Sequence, residues 1–205
     1  MTAALSRTGL LAIYICAFIV GGVLMGFEML GSRYLFPYFG GGIGTWASLI
    51  STVLCALAIG YFAGSAIVDR HPSPRTIGIM ILVAAAYLAL VPASADPVMA
   101  DILDRIGDGP TATLLASTAL LLLPLTLLGT FSPIAVSLLT RSADEAGRVA
   151  GLVYGVSTIG NVVGTLFTTF TLIPSIGSRA ITYLFALALA VCAGILFIPF
   201  GKKGS

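Results

Sequence analysis

Six stretches of this chain are apolar for about twenty residues or more; five hold no charged residue and the first holds one, Glu28. Between Thr113 and Leu128, for example, no side chain ionises. A helix crosses a bilayer core about 30 Å thick with roughly 20 residues. Inside hydrocarbon only a helix or a closed barrel satisfies its own backbone hydrogen bonds. Barrel strands alternate polar and apolar residues, and these stretches do not. The sequence therefore predicts an all-α polytopic membrane protein of six transmembrane helices, one domain over 1–205. The expected spans are about 9–32, 44–68, 76–95, 111–139, 149–173 and 180–200. Composition agrees: 58% of the 205 residues are hydrophobic and 9% charged, against about 25% charged in a soluble domain. A soluble enzyme, a nucleic-acid binder and a disordered chain are excluded. The first partner is the lipid bilayer. A net charge of +2 gives no reason to expect a polyanionic one.

Lysine and arginine placement sets the expected orientation. Arg7, Arg70, Arg75, Arg141, Arg148, Lys202 and Lys203 lie at one set of span ends; Arg33, Arg105 and Arg179 lie at the other. The richer side is expected to be cytoplasmic, which puts both termini inside. Between the third and fourth spans, Asp96-Pro97 reads as a helix start. Val98, Met99, Ile102, Leu103 and Ile106 share one face, and Gly107 ends the segment. An amphipathic helix over about 97–106 is expected on the outer surface.

Glycines recur at four-residue spacing, which lets helix backbones approach closely. The pairs are Gly22/Gly26, Gly60/Gly64, Gly151/Gly155 and Gly160/Gly164. The fifth span adds Ser157, Thr158 and Asn161, and Asn161 should find a partner inside the bundle. Pro124, Gly129 and Ser132-Pro133 should kink or break the fourth span, since each proline removes a backbone hydrogen bond. Asn161, Ser157 and Ser132 are thus the candidate polar contacts within the membrane. Cys16, Cys55 and Cys192 share no metal-ligand spacing, and His71 sits in a turn. No metal, cofactor or catalytic constellation is read, so an enzyme is not expected.

A shift of 104 residues aligns Gly60 with Gly164, Arg75 with Arg179, Phe27 with Phe131 and Leu24 with Leu128. Three spans per half make the second half enter from the opposite side, an inverted 3+3 repeat as in each half of a major facilitator transporter. The turn after the second span, with Gly60, Gly64, Asp69, Arg70 and Arg75, resembles the cytoplasmic loop motif of major facilitator proteins, although Pro72-Ser73-Pro74 replaces its second glycine. Phe27-Glu28-Met29-Leu30-Gly31-Ser32-Arg33-Tyr34 through Gly40 resembles the first-span motif of the membrane domain fused to bacterial spermidine synthase-like proteins. Trp46, Ser132-Pro133-Ile134-Ala135, Gly147-Arg148-Val149-Ala150-Gly151 and Gly177-Ser178-Arg179 extend the likeness. The resemblance implies a membrane module in a bacterial inner membrane, half major-facilitator-like and without the soluble synthase domain.

Glu28 is the one carboxylate within a span, and burying it ionised costs several kcal/mol unless it is paired or wetted. Arg33 lies about 140° round the helix, while Arg179 should emerge on the same side of the membrane. Glu28, Arg33 and Arg179 therefore form a candidate site, either a structural ion pair or a place for a cation or proton. Two functions follow. One is a homodimeric half-transporter for a small organic cation such as a polyamine. The other is a non-catalytic scaffold or accessory subunit that docks a separate soluble synthase-like protein or a larger membrane complex.

Overall fold

The computed structural model describes residues 7–68 and 73–198. Among them six helices are long and apolar enough to cross a membrane: α1 Arg7–Phe39, α2 Ile43–Val68, α3 Pro74–Ile106, α4 Pro110–Leu139, α5 Ala143–Ser175 and α6 Ser178–Phe197. No strand occurs among the described residues. The chain is an all-α polytopic membrane protein.

Local chemistry fixes the helix ends. Gly40 closes α1 in the left-handed region, φ +70°, and its N–H returns to the Phe36 carbonyl at 3.0 Å. Ser73 caps α3: its hydroxyl accepts the Thr76 N–H at 3.0 Å, and Pro74 occupies the first turn, where a missing N–H costs nothing. Gly107 ends α3 with φ +88° and donates its N–H to the Leu103 carbonyl at 2.8 Å.

The expected break in the fourth span is present. Thr118–Leu122 is a π-helical turn that leads into Pro124, and Thr130 interrupts the helix just before Phe131. A second π turn, Thr168–Leu172, leads into Pro174 in α5. In both places the looser i→i+5 pattern appears where a proline N–H is missing from the ladder.

The separate surface helix expected at 97–106 is not observed. Residues 97–106 are the continuous end of α3, which carries Pro92 and Pro97 inside it. Asp96 does not cap a helix; its carboxylate turns sideways to Arg179 and Tyr38. Met99, 1% exposed, keeps this part of α3 packed on the bundle. At 1.5 Å per residue the 33 residues of α3 span roughly 50 Å, longer than the bilayer core.

The helices pack in three dominant pairs, α1 with α5, α2 with α4 and α3 with α6. Exchanging the two halves of the chain turns the first pair into the second and leaves the third unchanged. The contacts obey the same exchange residue by residue. A Cβ on Gly60 would lie 2.5 Å from the Thr126 carbonyl, and one on Gly164 would strike the Gly22 carbonyl. Adding 104 to Gly60 and subtracting 104 from Thr126 gives Gly164 and Gly22. A Cβ on Gly64 would lie 2.9 Å from the Thr130 carbonyl; one on Gly26 would lie 2.7 Å from Thr168 Oγ1. That is the same shift again. The caps of α3 and α6, Ser73 and Gly177, are also 104 apart. The repeat read from a few matched residues therefore corresponds to in-register packing.

Candidate functional site

The three polar residues singled out within the membrane line one cavity. Ser132 of α4 and Ser157 and Asn161 of α5 share its wall with Tyr61 of α2 and the apolar Val20, Leu24, Leu57 and Leu128. The cavity holds about 30 Å³, enough for one or two waters. It sits where the two halves meet, since Leu24 and Leu128 are repeat mates and so are Leu57 and Asn161. The packing explains how the polar groups get there. Gly21, Gly160 and Gly164 let α1 and α5 touch backbone to backbone, which brings Asn161 against α1. With its amide nitrogen facing the carbonyls, Asn161 donates to Gly21 O at 2.8 Å and to Ser157 O at 3.3 Å. The expected interhelical partner of Asn161 is thus the α1 backbone. Tyr61 also meets Tyr154 edge-on, with ring centroids 6.3 Å apart.

Glu28 lies in α1 and is 7% exposed. Among the described residues two ion pairs form, Arg105 with Asp101 and Arg179 with Asp96, and neither involves Glu28. The ion-pair form of the Glu28, Arg33 and Arg179 site is therefore not what the structure contains. Arg33 is exposed, as its angle round the helix from Glu28 requires. Arg179 Nη2 instead reaches Asp96 Oδ2 at 2.5 Å, and Tyr38 Oη donates to Asp96 Oδ1 at 3.4 Å. One turn deeper, the Tyr34 hydroxyl meets Thr182 Oγ1 at 2.9 Å. This network ties α1, α3 and α6 together at one end of the bundle. Nothing in local sequence marks it, because Asp96 and Arg179 are 83 residues apart and Asp96 reads locally as a cap.

Of the loop-motif residues, Gly60 and Gly64 pack on Thr126, Gly129, Thr130 and Pro133 of α4, and Arg75 is exposed in the first turn of α3. Asp69 and Arg70 lie outside the described residues. The glycine pairs of α1, α2 and the second half of α5 sit in close helix contacts as expected, with Gly22 and Gly164 half-buried and the others buried. Gly151 and Gly155 do not: beyond the neighbouring backbone of α5 itself, neither has any atom within 4 Å of the place a Cβ would take, and Gly147 is the same. Their face of α5 points out of the bundle. Cys16 and Cys192 are buried and Cys55 is exposed. The sequence reading missed Thr52 and Thr168, whose buried hydroxyls have no hydrogen-bond partner; a threonine in an apolar span carries no signal that separates it from packing.

Comparison with known proteins finds no matching family model, no matching curated protein and no matching solved structure.

Proposed function

We propose that this chain is a half-transporter of the major-facilitator type, acting as a homodimer in a bacterial inner membrane with both termini in the cytoplasm, and that it carries a small organic cation such as a polyamine. The observation that carries this reading is the polar cavity at the meeting line of two inverted three-helix halves, with Ser132, Ser157 and Asn161 on its wall. Transporters of this build bind their substrates and coupling ions near the bilayer midplane, where the repeats meet and helices are interrupted. The π turn, Pro124 and the break at Thr130 lie in α4, which supplies part of that wall. At about 30 Å³ the cavity is far too small for a polyamine. Passage of the cation would therefore require the two halves to move apart and widen the cavity. The likeness of the first span to the membrane domain of spermidine synthase-like proteins is the reason for choosing a polyamine.

The outward face of α5 favours a second reading. Gly147, Gly151 and Gly155 present an unfilled small-residue stripe, the kind of surface that receives another membrane helix. It would serve a scaffold that docks a larger membrane complex as well as it serves a second copy. Flux and assembly separate the two. Purified protein in liposomes should release loaded spermidine down a gradient, and native mass spectrometry in lipid should show a dimer. A monomer without flux that purifies from its own membranes at fixed stoichiometry with another protein would establish the scaffold.

A further inference from the structure

The repeat places Glu28 as well as the cavity. Ser132, which lines the cavity, is the repeat mate of Glu28: their neighbours Phe131 and Phe27 are mates, and so are Leu128 and Leu24 one turn away. Glu28 thus occupies, on the other side of the meeting line, the position that Ser132 occupies on its own. Contacts on either side of Glu28 set its level. A Cβ on Gly31 would lie 3.0 Å from Leu49 and 3.4 Å from Leu121, while Leu24 shares the cavity wall with Leu57 and Leu128. Between these two levels, by position along each helix, lie Glu28 of α1, Thr52 of α2 and Pro124 of α4, all three buried. Thr52 is 3% exposed, and its hydroxyl has no partner. Pro124 follows the π turn. A carboxylate without a cation and a hydroxyl without a partner are therefore held at one depth, next to an irregular stretch of backbone.

We infer that Glu28, at the depth of the unpartnered Thr52 hydroxyl and one helix turn from the cavity wall at Leu24, binds the proton that drives transport. This rests on the transporter reading above. The small number of ligands argues for a proton rather than a metal cation. One carboxylate and one hydroxyl cannot replace the six or more oxygens a hard cation takes, whereas a proton needs a single acceptor. A hydronium ion gives its proton to a carboxylate oxygen of Glu28 and leaves as water; the reverse transfer, to another water, releases it. The groups that could compete are few. Neither α2 nor α4 carries a charged side chain; on α2 the titratable groups are Tyr61, on the cavity wall, and Cys55, which is exposed. On α5 they are Arg148, Tyr154 and Glu145 with Asp144 at its start. On α6 they are Arg179, held by Asp96 of α3, Tyr183, which is exposed, and Cys192, which is buried. On α3 they are also Tyr87, which donates to the Ala119 carbonyl, Arg75 in its first turn, and Asp101, Asp104 and Arg105 in its last turns.

Infrared difference spectroscopy of the full chain in lipid nanodiscs, titrated with acid and base, tests this. A protonated-carboxyl stretch should appear on acidification, shift in deuterium oxide, vanish in Glu28→Gln and move in Glu28→Asp. Thr52→Val should shift both its frequency and the pH of its loss. A spectrum unchanged by Glu28→Gln overturns the proton site, and one unchanged by Thr52→Val removes Thr52 from it. Loss of the band on adding sodium at fixed pH would make it a metal-cation site and overturn the proton assignment. If Glu28→Gln fails to fold, Glu28→Asp and Thr52→Val still decide. The infrared readout does not depend on flux. A Glu28 band without spermidine flux keeps the proton site and removes the transporter, and flux without the band does the reverse.

Discussion

At the scale of single residues, the glycines give the sharpest expectations because each has a defined neighbour. A Cβ on Gly164 runs into the Gly22 backbone, and a carbonyl in a helix cannot step aside as a side-chain tip can. Gly164→Ala should therefore cost about 1–3 kcal/mol or more, the usual range for overpacking, seen as a lower melting temperature in detergent. Gly155→Ala should do the opposite. Nothing stands within 4 Å of its Cβ position, and alanine favours a helix over glycine by roughly 0.5–1 kcal/mol. Equal effects at the two sites would mean that the α1–α5 contact is wrong. Asn161→Ala removes the donor to Gly21 O. Interhelical hydrogen bonds in membranes average about 0.6 kcal/mol and reach about 1.7, so the loss should be small in stability and larger in any flux that uses the cavity. Asn161 could be picked out in the sequence because an amide near mid-span must find a partner. Its partner could not, because a backbone carbonyl has no side-chain signature.

At the scale of elements, sequence reading succeeded where hydropathy or proline chemistry decides and failed where distant side chains decide. The spans are visible because lipid demands long apolar runs, and the start of α2 and both ends of α4 lie within about a residue of expectation. The fourth-span irregularity was visible in Pro124 and Pro133. The end of α3 was misread because Asp96-Pro97 has the local chemistry of a helix start. The deciding partners, Arg179 and Tyr38, come from α6 and α1. That clamp makes its own prediction. Both side chains of the Asp96–Arg179 pair are about half exposed or more, so Arg179→Gln should cost less than about 1 kcal/mol, and salt should reduce the difference. Thermal melts at low and high ionic strength would measure it. A loss well above that range would mean the clamp is shielded from water in the membrane.

At the scale of the whole molecule, topology can be checked without knowing any substrate. In a background lacking Cys16, Cys55 and Cys192, single cysteines at Gly41 and Gly109 should react with an impermeant maleimide added to intact cells. One at Ser142 should not. The reverse pattern would invert the molecule and place Glu28 nearer the cytoplasm. The in-register repeat has a further consequence. In a body whose halves are related by a half-turn, exchanging the conformations of the two halves defines a second shape geometrically. If residues 7–106 and 110–198 traded conformations, the bundle that is fastened by Asp96 and Arg179 at one rim would be fastened at the other. The fastening would not travel with it, however. Arg75 is the mate of Arg179, but the mate of Asp96 is Phe200, which carries no charge. The two rims are therefore not equivalent: an exchange of the halves would leave the second rim without this ion pair.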